Sequence, residues 1–394
     1  MARVLVAMSG GVDSSVAALL CVKAGHEAIG VTMDLWPAAD EETAGRHEGC
    51  CSLAAVQDAR RACALLGIPH YVVNFRERFK QTVIADFCAA YARGLTPNPC
   101  VVCNRVIKFE HLLHKALELE AEYLVTGHYA RISRNAAGRY ELRKASYLDK
   151  DQSYALYGLT QMQLAHTLFP LGAYPKAEVR RMAEAAGLPA AARPESQDVC
   201  FVMSGSYREF LEAQGAGGLE PGPIVDSRGN LLGHHDGIAN YTVGQRKGLG
   251  ITAPEPMYVL EIRAEERSVV VGPEGELTAD ALVAEDCNWV SIEPPEQPLR
   301  AEVKIRYGAP PVACTVVPGA ADGTARVSFD EPQRAVTPGQ AAVWYNGDLV
   351  LGGGTIITAS RAPRGCPGSA GRRIGLSTAQ QSRCRPWGNG QSPS

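Results

Sequence analysis

Short apolar runs alternate with longer amphipathic segments through the first half of the chain. Val4-Leu5-Val6-Ala7-Met8 leads through a glycine-containing turn into a helical stretch from Val16 to Ala24, closed by Gly25. Ala28-Ile29-Gly30-Val31-Thr32-Met33 reads as a second buried strand, Leu53 to Leu66 as an amphipathic helix ended by Gly67, and Tyr71-Val72-Val73 as a third strand. Helical spacing returns over 76–93, Leu112 to Leu119 completes a further helix, and Tyr123-Leu124-Val125-Thr126 is another strand. Continuous apolar strands separated by helices predict an α/β fold with a parallel sheet, since a strand covered on both faces has no polar side. In such a sheet ligands lie outside the carboxyl ends of the strands.

Beyond about Gly215 the texture changes. Glycine and proline punctuate short alternating runs such as Met257-Tyr258-Val259-Leu260 and Val269-Val270-Val271, a mark of antiparallel strands. The pattern predicts a Rossmann-like domain over 1–214, a small β-rich middle module over 215–279 and a C-terminal β-barrel over 280–360. The polar stretch from Trp36 to Gly49 reads as a mobile loop. From Arg361 onward arginine, glycine, serine and proline dominate, so 361–394 is expected to be disordered, with too little apolar surface to offset its ordering entropy.

A length of 394 residues agrees with two or three cores rather than one. Charge adds little, because 39 basic side chains nearly balance 42 acidic ones, and any nucleic-acid partner must be met by a local patch. The opening Met-Ala-Arg runs straight into a strand and no apolar run reaches the ~18 residues of a membrane span, so a cytoplasmic protein without membrane attachment is expected. In that compartment twelve cysteines suggest reduced thiols, metal ligands or catalysts more than a disulfide framework. Cys21, Cys63 and Cys88 fall among apolar helix positions and read as core; Cys50-Cys51 is read as packing rather than metal binding.

The chemistry begins at Ser9-Gly10-Gly11-Val12-Asp13-Ser14-Ser15, between the first strand and the first helix. Glycines let successive N–H groups turn toward one ligand, and a helix N-terminus favours anions, so the turn suits a phosphate. Asp13 is the residue there able to hold a Mg²⁺. The turn is neither a Walker A loop nor a dinucleotide fingerprint, and S-G-G-x-D-S-S resembles the PP-loop of the N-type ATP pyrophosphatases. The plainer reading is a helix-capping turn with two glycines. Met33 and Gly127, at strand ends, are placed beside the nucleotide, and His128 beside a phosphate or base, although each also suits a structural role.

Thr96-Pro97-Asn98-Pro99-Cys100-Val101-Val102-Cys103-Asn104 is a rigid loop opening a helix, and Cys103 near that N-terminus is expected to favour thiolate, with Lys108 adding positive potential. The C-x-x-C spacing alone fits a zinc half-site, a redox pair, cluster ligands or coincidence. Arg131, Arg134, Arg139, Arg143, Lys144 and Lys150 gather about a hairpin near 135–138; with Asp151 and Gln152 they could follow an RNA backbone or simply be solvated. Cys200 stands in Ser196-Gln197-Asp198-Val199-Cys200-Phe201, and Arg306-Tyr307 is a basic-aromatic pair able to stack and hold phosphate.

Taken in order, S-G-G-V-D-S-S, T-P-N-P-C-V-V-C-N-R-V-I-K-F, T-G-H-Y-A, K-D-Q-S-Y, S-Q-D-V-C-F and N-Y-T-V-G-Q-R-K-G closely resemble the bacterial tRNA-specific 2-thiouridylases, the MnmA family, from Arg3 to about Thr358. The resemblance implies ATP- and Mg²⁺-dependent sulfur transfer to the wobble uridine of tRNAs reading Lys, Glu and Gln codons, with sulfur from a donor protein. It implies Cys200 as persulfide carrier and Cys103 as its thiol partner. ATP contacts would be Ala7, Met8, Ser9, Gly10, Gly11, Val12, Asp13, Ser14, Met33 and Gly127. Contacts with tRNA would be Asn98, Pro99, Cys100, His128, Lys150, Asp151, Gln152, Arg306, Tyr307 and Gln340. Many members of the family carry aspartate where this chain has Cys100, which opens a second route: an iron-sulfur cluster on Cys100, Cys103 and Cys200. A PP-loop amide ligase would leave Cys103 and Cys200 without work. A noncatalytic tRNA-binding protein would leave the phosphate loop without work.

Overall fold

The computed structural model describes residues 1–35, 53–189, 199–202, 207–319 and 323–360. The expectations for the 36–49 loop, Cys50-Cys51, Ser196 to Asp198 and the 361–394 tail lie outside the described residues.

Strand β1 (Arg3–Ala7) carries Val4, Leu5 and Val6 with no exposed surface. Val4 and Val6 join the core on one side of the sheet and Leu5 the core on the other, which is why the run shows no alternation. Helix α1 (Val12–Lys23) leads to β2 (Glu27–Asp34), and α2 (Leu53–Leu65) to β3 (His70–Asn74). Together with β4 (Tyr123–Val125) and β7 (Thr167–Leu168) they form a parallel sheet of order β3-β2-β1-β4-β7. The order turns back on itself at β1, so the crevice for a ligand opens between the carboxyl ends of β1 and β4. Strand β3, at the edge of the sheet, exposes Tyr71 and Val72.

The middle module is a four-stranded sheet of order β10-β11-β8-β9, built from β8 (Gly222–Asp226), β9 (Leu231–His235), β10 (Met257–Arg263) and β11 (Ser268–Pro273). Six further strands make the barrel: β12 (Thr278–Asn288), β13 (Leu299–Lys304), β14 (Val312–Pro318), β15 (Ala325–Arg334), β16 (Ala341–Asn346) and β17 (Leu349–Ser360). Their order β12-β15-β14-β13-β16-β17 is closed by pairing of β12 with β17. Closure removes the exposed edges an open sheet would present. Inside lie Trp344, Val303, Val316, Val327 and Ile356, all without exposure.

The basic hairpin, β5 (Ala130–Arg134) and β6 (Tyr140–Lys144), does not stand out into solvent. It extends the barrel sheet, β6 lying against β17. Arg131 and Arg143 each bond the Asp348 carboxylate, at 2.8 and 2.7 Å, and Arg139 donates to the carbonyls of Trp289 and Ile292. The Lys144 ammonium lies 4.4 Å from the Tyr345 ring centre. Arg131, Arg139 and Arg143 thus help to join the α/β part to the barrel, whereas Arg134 is exposed and bonds within the hairpin to the Gly138 carbonyl.

Candidate active site

Between β1 and α1 the chain turns at Gly10, whose φ of +73° is one that side chains rarely adopt. A Cβ at Gly10 would also run into the carbonyl of Ala55 in α2. Gly11, at φ −87°, caps α1 and has no side chain to bond the first-turn N–H groups. The turn is braced from within: Ser14 Oγ donates to the Gly11 carbonyl at 3.1 Å and accepts from the Ser9 N–H at 3.2 Å, and Ser15 Oγ donates to the same carbonyl at 3.0 Å. Gly127, just beyond β4, lets that strand end close on α1. A Cβ there would stand 2.9 Å from the Ser14 nitrogen.

One cavity of about 790 Å³ opens at this point. Its wall includes Ala7, Met8, Ser9, Asp13, Ser14, Met33 and Gly127 from the nucleotide set, and Asn98, Pro99, Cys100, His128, Lys150, Gln152 and Tyr307 from the RNA set. Cys103 and Cys200 line it too. Gly10, Gly11 and Val12 are not part of the wall, and Arg306 is exposed outside it.

Each cysteine is held by a different device. The helix of the C-x-x-C segment starts at Pro99, which lacks an N–H and so suits the first helical position. Cys100 therefore takes the N-terminal turn, and Cys103 lies one turn further in, where π-helical bonding begins and runs over Cys103–Leu112. This corrects the expectation that the helix N-terminus acts on Cys103. Such π segments often occur at functional sites. Asn104, 3% exposed, ties the turn inward by donating to the Ala155 carbonyl at 3.0 Å. Exposed Cys200 is followed by Phe201, only 3% exposed, whose ring meets Phe79, Phe87 and Phe210 at 5.7, 5.2 and 5.2 Å.

Three of the expected contact residues have intramolecular partners. Asp151 is 7% exposed, and its carboxylate accepts from the N–H of Ala145 at 2.9 Å and the Ser153 hydroxyl at 2.7 Å. It shapes the loop that presents Lys150 and is not turned toward RNA. Gln340 reaches from the barrel to donate to the carbonyls of Thr96 and Pro97 at 2.9 and 3.4 Å, bracing the cysteine loop. Asp13 faces the cavity, but Lys176 Nζ stands 2.7 Å from both its oxygens and the Tyr129 hydroxyl donates to one of them at 2.7 Å. In this arrangement the Asp13 carboxylate is shared between the Lys176 ammonium and the Tyr129 hydroxyl. Among the described residues no three His, Cys, Asp or Glu side chains lie close enough to hold an ion, so Cys100, Cys103 and Cys200 do not form a cluster cage.

Sequence reasoning gave no site role to Lys176 or to Tyr129, the latter quoted only within T-G-H-Y-A. Lys176 opens the helix Lys176–Ala185, and nothing in its local pattern marks it. His128 packs against Phe109 and Phe169, each ring centre 5.9 Å away, with Nδ1 2.7 Å from the Thr126 hydroxyl. Burial first, and the charge of Lys108 second, push its pKa well below the ordinary histidine value, so it is neutral at pH 7. Lys304 lies with its ammonium 5.9 and 5.8 Å from the rings of Tyr154 and Tyr307, holding that side of the wall by cation–π contact.

Comparison with known proteins agrees with this order of parts. Residues 2–204 match the family model described as the tRNA methyl transferase HUP domain, 208–273 its PRC-barrel domain, and 279–356 the aminomethyltransferase beta-barrel domain. The tRNA-specific 2-thiouridylase MnmA of Symbiobacterium thermophilum is 51% identical over 358 residues, 90% of this chain and 92% of that one. Its counterpart from Acetivibrio thermocellus is 50% identical over 355 residues, 90% of this chain and 99% of that one. That from Heliobacterium modesticaldum is 50% identical over 356 residues, 90% and 92% of the two chains. With half of all positions shared across 90% of its length, the chain belongs to the tRNA-specific 2-thiouridylase (MnmA) family.

Proposed function

We propose that this protein is an ATP-dependent tRNA-uridine 2-sulfurtransferase working in the cytoplasm on the wobble uridine of tRNAs for Lys, Glu and Gln. One observation carries the reading: the phosphate loop at Ser9 to Ser14 and the thiols of Cys103 and Cys200 open onto the same cavity of about 790 Å³. A carbonyl oxygen of the base is a poor leaving group. Adenylation at O2 turns it into AMP, while pyrophosphate departs from the N-terminus of α1. The outer sulfur of a persulfide on Cys200, loaded by a donor protein, attacks C2 and displaces AMP. The Cys103 thiolate then attacks Cys200 Sγ, which leaves sulfur on the base and a disulfide between the two cysteines for a thiol reductant to reopen.

Lys150, Tyr307, His128 and the Asn98-Pro99-Cys100 turn are the tRNA-facing part of the wall, with Arg306 outside it. Mg²⁺ belongs to the incoming nucleotide, because Asp13 is engaged by Lys176. The persulfide route is preferred to a cluster because, among the described residues, Cys100, Cys103 and Cys200 are not gathered as a group that could hold an ion.

The test is mass spectrometry of tRNA nucleosides after incubation with ATP and a sulfur source, alongside pyrophosphate release. Wild type should yield 2-thiouridine. Cys103→Ser and Cys200→Ser should abolish thiolation yet retain pyrophosphate release. Thiolation surviving both substitutions would refute the mechanism; an amide product would favour a ligase, and absent pyrophosphate release a noncatalytic binder.

A further inference from the structure

Lys176 is only 8% exposed, yet its ammonium faces the cavity beside the phosphate loop. Burying an ammonium is costly unless its charge is met. Here it is met by both Asp13 oxygens at 2.7 Å, across 163 residues of sequence. Anchoring this helix to the core does not need a charge, since Val179 and Ala183 of the same helix already pack in the cluster with Val16 and Ala17 of α1. Asp13 stands in the first turn of α1. The cation is therefore held beside the N-terminus of α1, in the same cavity wall as Ser9 and Ser14.

We propose that Lys176 is a further catalytic residue, donating charge-assisted hydrogen bonds to the outer phosphates of ATP and to pyrophosphate as it departs. The inference rests on the adenylating reading of the site given above. In that step the uridine O2 forms a bond to the α-phosphorus, and the bond from that phosphorus to the bridging oxygen breaks. The electron pair leaves with pyrophosphate. Lys176 remains protonated throughout and interacts more strongly as negative charge grows on the departing oxygen, which lowers the barrier and not only the binding energy. Asp13 and Tyr129 keep the ammonium aimed before nucleotide arrives. AMP lacks the outer phosphates, so Lys176 governs the preference for ATP over AMP.

Calorimetric titration of the full chain with a non-hydrolysable ATP analogue and with AMP tests this. Lys176→Met should weaken the analogue about 10- to 100-fold, the loss of one or two charge-assisted hydrogen bonds, and change AMP less than about threefold. Pyrophosphate release with tRNA should fall at least as far. Should Lys176→Met fail to fold because Asp13 is left unmatched, the comparison passes to Asp13→Asn against Asp13→Asn/Lys176→Met, where the same selective loss is expected. Parallel weakening of both nucleotides, or unchanged binding and release, overturns the role of Lys176. A wild type that binds neither nucleotide and releases no pyrophosphate removes the adenylating reading itself, so the two failures are distinguishable.

Discussion

His128 ends the segment after β4 with its ring held between Phe109 and Phe169. The folded protein keeps it neutral, whereas the unfolded chain takes up a proton near pH ~6.5. A depressed folded pKa contributes stability that is present above the unfolded value and is lost as pH falls from there toward the folded one. His70 and His235 are also held low, chiefly by burial, and add to the same acid sensitivity. The His128 share is isolated by difference. Between pH 7.5 and 5.5, denaturant unfolding of wild type should lose about 1 kcal/mol more than His128→Gln; equal losses would mean that His128 is protonated in the fold. Legibility at this scale was uneven. Cys103, Cys200, Ser9 and Met33 stand in local motifs that single them out, and all four line the cavity. The partner of Asp13 was not legible, because the lysine that meets it comes from a distant helix whose own pattern is unremarkable.

The strand-turn-helix unit of β1 and α1 depends on its two glycines unequally. Gly10 combines φ +73° with a Cβ direction blocked by the Ala55 carbonyl, whereas an added Cβ at Gly11 meets only the Ser9 hydroxyl at 3.4 Å. Gly10→Ala is therefore expected to cost about 2 kcal/mol or more, from left-handed backbone strain and displacement of α2. Gly11→Ala should stay within about 1 kcal/mol. Thermal and denaturant unfolding of the two variants decides, and equal losses would place the constraint in the glycine pair as a whole. The same unit was legible from its apolar run and turn, but α1 begins at Val12 rather than Val16, so Asp13, Ser14 and Ser15 belong to the helix and not to the turn. The β5–β6 hairpin was legible as a hairpin but not in its partner. Alternation and a turn near Gly138 define two strands, while the choice of β17 as neighbour depends on Asp348, far along the chain. The π-helical winding at Cys103–Leu112 has no periodic signature short enough to see in ten residues.

At the scale of the whole molecule, three sheets meet at the turn that carries the cysteines. The Thr96 N–H donates to the Pro338 carbonyl at 2.9 Å, and Gln340 in the same barrel loop donates back to Thr96 and Pro97. The Thr96 hydroxyl donates to that of Thr242 at 3.4 Å, in the middle module's N-Y-T-V-G-Q-R-K-G segment. The phosphate loop has no such support from the barrel, being braced by its own serines and by α2. Adenylation and sulfur transfer are thus separable by where a substitution falls. Gln340→Ala removes two bonds to the loop at a cost of about 1 kcal/mol, and a loop left loose by a fraction of an ångström loses productive geometry out of proportion to that energy. Thiolation is expected to fall about 10-fold or more while ATP affinity changes less than about twofold, since nothing Gln340 touches faces the nucleotide. Single-turnover thiolation measured beside nucleotide titration checks this. A fall in ATP affinity as large as the fall in thiolation would mean that the barrel holds the entire crevice, with no division of labour between its two ends.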